Sequence, residues 1–138
     1  NLHPPQNKYG ADFHGPPSKP FLPGTLTRGS IALVGHTVPM QGYAFLNGGG
    51  AGGQAWLGVR PEHVATGEQA AALPFHTDIA VELVEPMGSD KLVWTQFAGQ
   101  PFRFRMDGQA SVKPGDTLRI GVDPATSSLF DAQTEARL

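Results

Sequence analysis

The sequence predicts an all-β domain of short antiparallel strands closed into a barrel or sandwich. The 18 glycines and 13 prolines are spread along the chain between short β-branched stretches, where they punctuate strands rather than mark a disordered polymer. Apolar residues alternate with period two in the best-defined segments. No segment supports more than a turn or two of helix. With 138 residues the chain has the length of one ordinary domain, enough to bury about two-thirds of the surface its unfolded form exposes.

Residues 1–20, "NLHPPQNKYGADFHGPPSKP", hold five prolines and no apolar period, so they read as an extended linker with Tyr9 and Phe13 as anchoring side chains. The domain proper is expected over residues 21–138. Its strand candidates are "FLPGTL", "SIALVG", "AWLGVR", "DIAVELVE", "KLVWTQF", "PFRFRM", "DTLRIGV" and "SSLFD", each bounded by turn residues. In "PFRFRM", Phe102, Phe104 and Met106 share one face and Arg103 and Arg105 the other. "DIAVELVE" is expected to turn Ile79, Val81 and Leu83 inward. "FAGQPF" reads as a hairpin turning through Gly99 and Gln100. Only "RPEHVATGEQAAAL" has helix-forming composition, and Pro61, Gly67 and Pro74 confine it to a turn or two. "LGVRPE" at Leu57 returns as "IGVDPA" at Ile120, 63 residues on, and this echo raises two related half-domains.

Several chemistries are excluded or disfavoured. The absence of cysteine removes disulfides, thiolate-zinc sites and cysteine nucleophiles, and fits a reducing compartment. A net charge of −2 lacks the basic excess of a phosphate-backbone binder, so no nucleic-acid partner is expected. No apolar run approaches the ~20 residues of a membrane span, and the start lacks signal-peptide order. In "NGGGAGG", Gly48, Gly50 and Gly53 match the G-x-G-x-x-G spacing of dinucleotide loops. No helix pattern follows them to hold a pyrophosphate, so a connection between strands is expected instead. His3, His14, His36, His63 and His76 are scattered without paired metal-ligand spacing, so no metal site is expected. Ser89, Asp90 and Lys91 read as a turn rather than a relay. Trp56 and Trp94 lie in apolar strands, and at least one is expected in the core.

"LGVRPEHV", Leu57 to Val64, closely resembles the G-[IV]-R-P-E-[HD] run in the C-terminal TOBE region of ATP-binding subunits of sugar-type ABC importers, the maltose and glycerol-3-phosphate group. The likeness continues through "VELVEPMGSDKLVWTQFAGQPFRFRM", "VKPGDTLRIGVDP" and "SSLFDAQTEARL". Upstream, "PPQNKYGADFHGPPSKPFLPGTL" resembles the stretch that joins the ATPase domain to this region. The chain departs from the family at Lys19-Pro20, where Met-Asn is usual, and at its Thr134-Glu135-Ala136-Arg137-Leu138 end.

The resemblance implies an OB-like β-barrel that serves regulation and dimer contact and is itself non-catalytic. It implies no cofactor in this chain, with ATP and magnesium belonging to an ATPase domain whose phosphate loop, signature motif and switch histidine do not occur here. It implies a second copy of the ATP-binding subunit and membrane permease subunits as partners, and a regulatory protein or small molecule as a further one. The location implied is cytoplasmic, on the inner face of the membrane. Arg60, Glu62 and His63, which follow the strand "AWLGV" at a proline, are the candidate contact residues at the barrel rim. Arg60 and Glu62 have a structural reading too, as an ion pair pinning the crossing between halves. Two other functions stay open: a small-oxyanion module of the molybdate-importer type, and a barrel for single-stranded nucleic acid.

Overall fold

The computed structural model describes residues 21–46 and 52–138. The expected linker, with Tyr9 and Phe13, lies outside the described residues, as do Gly48 and Gly50. The first half runs β1 (Phe21–Thr27), β2 (Ser30–Leu33), β3 (His36–Pro39), β4 (Gly53–Gly58), a 3-10 turn (Pro61–His63) and β5 (Ala65–Thr66). The second half follows after α1 (Gly67–Ala71): β6 (Phe75–Met87), β7 (Asp90–Phe97), β8 (Gln100–Asp107), β9 (Thr117–Val122), a 3-10 turn (Pro124–Thr126) and β10 (Ser128–Asp131). Among the described residues α-helix is confined to the five of α1, because Gly67 and Pro74 bracket the run of helix-forming composition.

Among the described residues the strands form two five-stranded antiparallel sheets, ordered β10-β4-β1-β2-β3 and β5-β9-β6-β7-β8. Replacing each strand of the first half by its counterpart in the second turns one order into the other, except that the short last strands are exchanged. β5 leaves its own half to pair with β9, and β10 returns to pair with β4. Both echo segments sit at this exchange, where a strand ends in a proline-led 3-10 turn and the chain crosses to the other sheet. The two half-domains raised by the sequence echo are therefore visible in the topology.

Phe102 and Phe104 on β8, with Leu22, Ile31, Leu57, Ile120 and Leu129 from both sheets, lie in one continuous core at 0–1 % exposure. Burying each such side chain contributes about 1.5–3 kcal/mol. Phe97 joins the sheets, meeting Phe102 edge to face at 5.3 Å and the tilted ring of His36 from the other sheet at 4.8 Å. Tyr43 seals the first sheet, its hydroxyl accepting the Leu129 N–H at 3.0 Å.

Three expectations need correction. Leu83 does not point inward but is 52 % exposed, because a bulge between Val81 and Leu83 shifts the register of β6 against β7. The bulge carries β6 from pairing with β9 to pairing with β7, and Thr95 Oγ1 donates to the Ala80 carbonyl beside it at 2.6 Å. The β7–β8 hairpin turns at Ala98 and Gly99 rather than one residue later. Both have positive φ, +54° and +79°, as a two-residue type I′ turn demands. Neither tryptophan is in the core: Ala55 and Leu57 take the inward phase of β4 and Val93 and Thr95 that of β7, leaving Trp56 and Trp94 half-buried on the outside.

Candidate functional site

Arg60 stands between the end of β4 and the 3-10 turn, with extended backbone, and the His63 N–H donates to its carbonyl at 2.9 Å. Val59 and Val64 on either side are buried, at 1 % and 7 % exposure. They fix the turn against the core, while Arg60, Glu62 and His63 are exposed. The turn packs beside β8. The structure thus places the three residues, all exposed, on and beside one turn. The ion pair expected of Arg60 and Glu62 is a different matter: among the described residues no ion pair joins them to each other or to a neighbouring turn. Two cationic or basic side chains and one carboxylate on a rigid turn can grip a complementary surface. Among the described residues they have no nucleophile and base arranged as a relay beside them.

Gly52 and Gly53, at φ +86° and +112°, lead straight into β4. A strand presents no helix N-terminus to a phosphate, so the described end of the glycine loop is a strand connection. It borders a shallow polar cleft lined by Gly52, Gly53, Gln54, Asp131 and Gln133. The Thr134 and Gln133 backbone N–H groups donate to Asp131 Oδ1 at 2.9 and 2.8 Å and hold its carboxyl below the usual carboxylate range. An ionised carboxylate makes this cleft unfit for a phosphate.

Ser89, Asp90 and Lys91 diverge as a hairpin should. Asp90 is engaged by Ser89 and Arg105, and Lys91 Nζ donates to the Ala110 carbonyl at 2.6 Å. Among the described residues no group of His, Asp and Glu is arranged to hold a metal ion, and no helix is long and apolar enough to cross a membrane. One feature escaped the sequence reading: the bulge in β6 leaves Leu83, Trp94 and Arg103 in a row on the outer face of the second sheet. Single-strand periodicity cannot show such a row, since it depends on the register between strands.

The chain is 36 % identical over 136 residues to the sn-glycerol-3-phosphate import ATP-binding protein of Chromohalobacter salexigens, covering 94 % of this chain and 34 % of that protein. It is 32 % identical to the sulfoquinovosyl glycerol transport ATP-binding protein of Agrobacterium fabrum, covering 95 % and 36 %. It is also 32 % identical to the xylose/arabinose import ATP-binding protein of Haloferax volcanii, covering 96 % and 35 %. The chain spans about a third of the length of these relatives. Among solved structures, the cytoplasmic molybdate-binding protein ModG superposes with a TM-score of 0.60 at 15 % identity, over 80 % of this chain and 94 % of that one, a likeness of fold. The family model of the TOBE domain matches residues 57–130, more than half of the chain, from the end of β4 through the exchanged strand β10. The chain therefore belongs to the TOBE domain family.

Proposed function

We propose that residues 21–138 form the C-terminal regulatory and dimer-contact domain of the ATP-binding subunit of an ABC importer for carbohydrates or glycerol-3-phosphate-type solutes, with residues 1–20 joining it to an ATPase domain. The observation that carries this reading is similarity over nearly the whole chain to import ATP-binding proteins, aligned to only a third of their length. The domain is itself non-catalytic, and ATP and magnesium bind the ATPase domain. Its partners are a second ATP-binding subunit, the permease subunits and a regulator, on the cytoplasmic face of the membrane. Arg60, Glu62 and His63 belong to a contact surface, supported by their exposure on a turn that the core holds rigid.

The test begins with the reading frame upstream of Asn1, where an in-frame ABC ATPase is expected and an immediate stop codon would overturn the reading. The subunit and its permease partners, in vesicles, are then compared with and without residues 21–138. ATP hydrolysis that survives the deletion, with regulation of uptake lost, is the expected result. Uptake and regulation both unchanged would refute the assigned role.

A further inference from the structure

The outward face of β6, β7 and β8 is built of cross-strand rows, the one beside the β6–β7 turn setting Met87, Asp90 and Asp107 side by side. Cross-strand register sets Leu83, Trp94 and Arg103 in one row and Glu85, Leu92 and Arg105 in the next. The carboxylates Glu82 and Glu85 stand on β6, the apolar Leu92 and Trp94 on β7, and the guanidinium groups of Arg103 and Arg105 on β8. Leu83 and Met87 add apolar surface at 52 % and 49 % exposure. The inward positions of the same strands, Val93, Thr95, Phe102 and Phe104, are buried, so these outward residues are no part of the core.

We propose that this face packs against the same face of a second copy of the chain. The proposal rests on the dimer-contact reading above and adds to it a surface and a symmetry. Two twofold axes in the contact plane would stack one sheet on another. An axis across the strands through the Glu85 row lays β6 on β6 and β8 on β8, setting Glu85 on Glu85 and Arg105 on Arg105. An axis along β7 lays β6 of each copy over β8 of the other, so that Glu85 meets the second copy's Arg105 while Leu92 and Trp94 meet their equivalents. Asp90 also meets its equivalent across this axis, but Arg105 already pairs with it at 3.2 Å, so the Glu85–Arg105 contacts select the second axis.

The side chains are held ready for it. Trp94 Nε1 donates to Glu85 Oε1 at 3.1 Å, the Arg103 guanidinium lies 4.9 Å over the Trp94 ring, and Arg105 donates one N–H to Asp90 at 3.2 Å. A guanidinium has five N–H donors, and Arg105 remains 48 % exposed. Three strands about 4.8 Å apart and some seven residues long present on the order of 400 Å² per copy. Stable complexes bury about 800 Å² per partner. This face alone therefore gives a weak dimer, which tethering through a dimeric parent subunit strengthens by raising the effective concentration toward millimolar.

The test is sedimentation equilibrium of the 138-residue chain up to millimolar concentration, with charge exchange. Wild type is expected to show a weak monomer–dimer equilibrium. Glu85→Arg or Arg105→Glu alone should weaken it about tenfold, since each places like charges together twice across the axis. The two changes combined restore opposite charges and should recover association to within about threefold. Thermal melting of each variant checks that the fold is kept, as exposed positions allow. A chain monomeric at every concentration, single reversals without effect, or a combination no better than either single change would each overturn the proposal. An upstream ATPase frame with regulated transport would still uphold the function proposed above, so the two can fail separately.

Discussion

Gly58 and Gly121 mark the two copies of the echo, and a methyl group would be crowded at the first and would clash with backbone at the second. A Cβ on Gly121 would lie 2.8 Å from the Cα and carbonyl of Ala70, so α1 sits on β9 only because that residue is glycine. A Cβ on Gly58 would meet the Phe21 ring at 3.1 Å, which the ring can relieve by tilting. Gly121→Ala should destabilise the chain by about 1–3 kcal/mol in urea denaturation, and more than Gly58→Ala. Arg60→Ala and Glu62→Ala should each stay within about 0.5 kcal/mol of wild type, because exposed side chains without an ion pair among the described residues hold little of the fold. Such unchanged melting, with altered dimer affinity or regulation in the parent subunit, is what a contact role predicts. Asp131 brings a pH dependence. The Thr134 and Gln133 N–H groups depress its pKa in the folded state, so its contribution is present above the ordinary aspartate value of about 3.9 and is lost as pH falls through the folded value. Stability measured below about pH 4 should therefore fall less steeply in Asp131→Asn than in wild type. The face of each strand residue was legible in the sequence wherever alternation was unbroken, as at Phe102 and Phe104. It failed at Leu83, because a bulge adds a residue without leaving a mark in composition.

The strands themselves were readable, and their partners were not. "FAGQPF" announced a hairpin, yet its turn fell on Ala98 and Gly99, since a buried Ala98 at φ +54° looks in sequence like strand. The two proline-led turns were visible as "RPEH" and "DPAT". That each sends a short strand into the opposite sheet follows only from which edges the longer strands leave open. β10 illustrates how much depends on this exchange. Its Leu129 and Phe130 are 0 % and 2 % exposed, and Phe130 meets Phe21 edge-on at 5.7 Å. Phe130→Ala should cost about 3–5 kcal/mol in chemical denaturation, comparable with losing a central core residue although β10 has four residues.

Across the whole molecule, the exchanged strands bind the halves into one cooperative unit. Each half lends the other a strand, so neither can satisfy its own sheet. Circular dichroism and intrinsic fluorescence should follow the same single unfolding transition, whereas separate transitions would show that the halves fold independently. The far-ultraviolet spectrum should be that of β structure. Calorimetry should show no saturable micromolar site for ATP, because the described end of the glycine loop runs into a strand and the cleft beside it carries an ionised carboxylate. At this scale the class of fold and the family were legible in order and spacing of motifs, while the outer face of the second sheet was not, since it exists only in the register of three strands.

Phe21 and Ser128 both lie opposite Gly58, on the two sides of β4, and the Leu138 N–H donates to the Leu129 carbonyl at 2.8 Å. The chain thus enters and leaves the barrel at neighbouring points, about three strand spacings or ~14 Å apart. With residues 1–20 removed, a short glycine-rich bridge from Leu138 to Phe21 would close the backbone into a ring. New ends could then be opened at Gly67, an exposed position where even a Cβ would meet nothing within 4 Å. Such a circular permutant would start with α1, end with β5 and retain every strand pairing, exchanging only which half is made first.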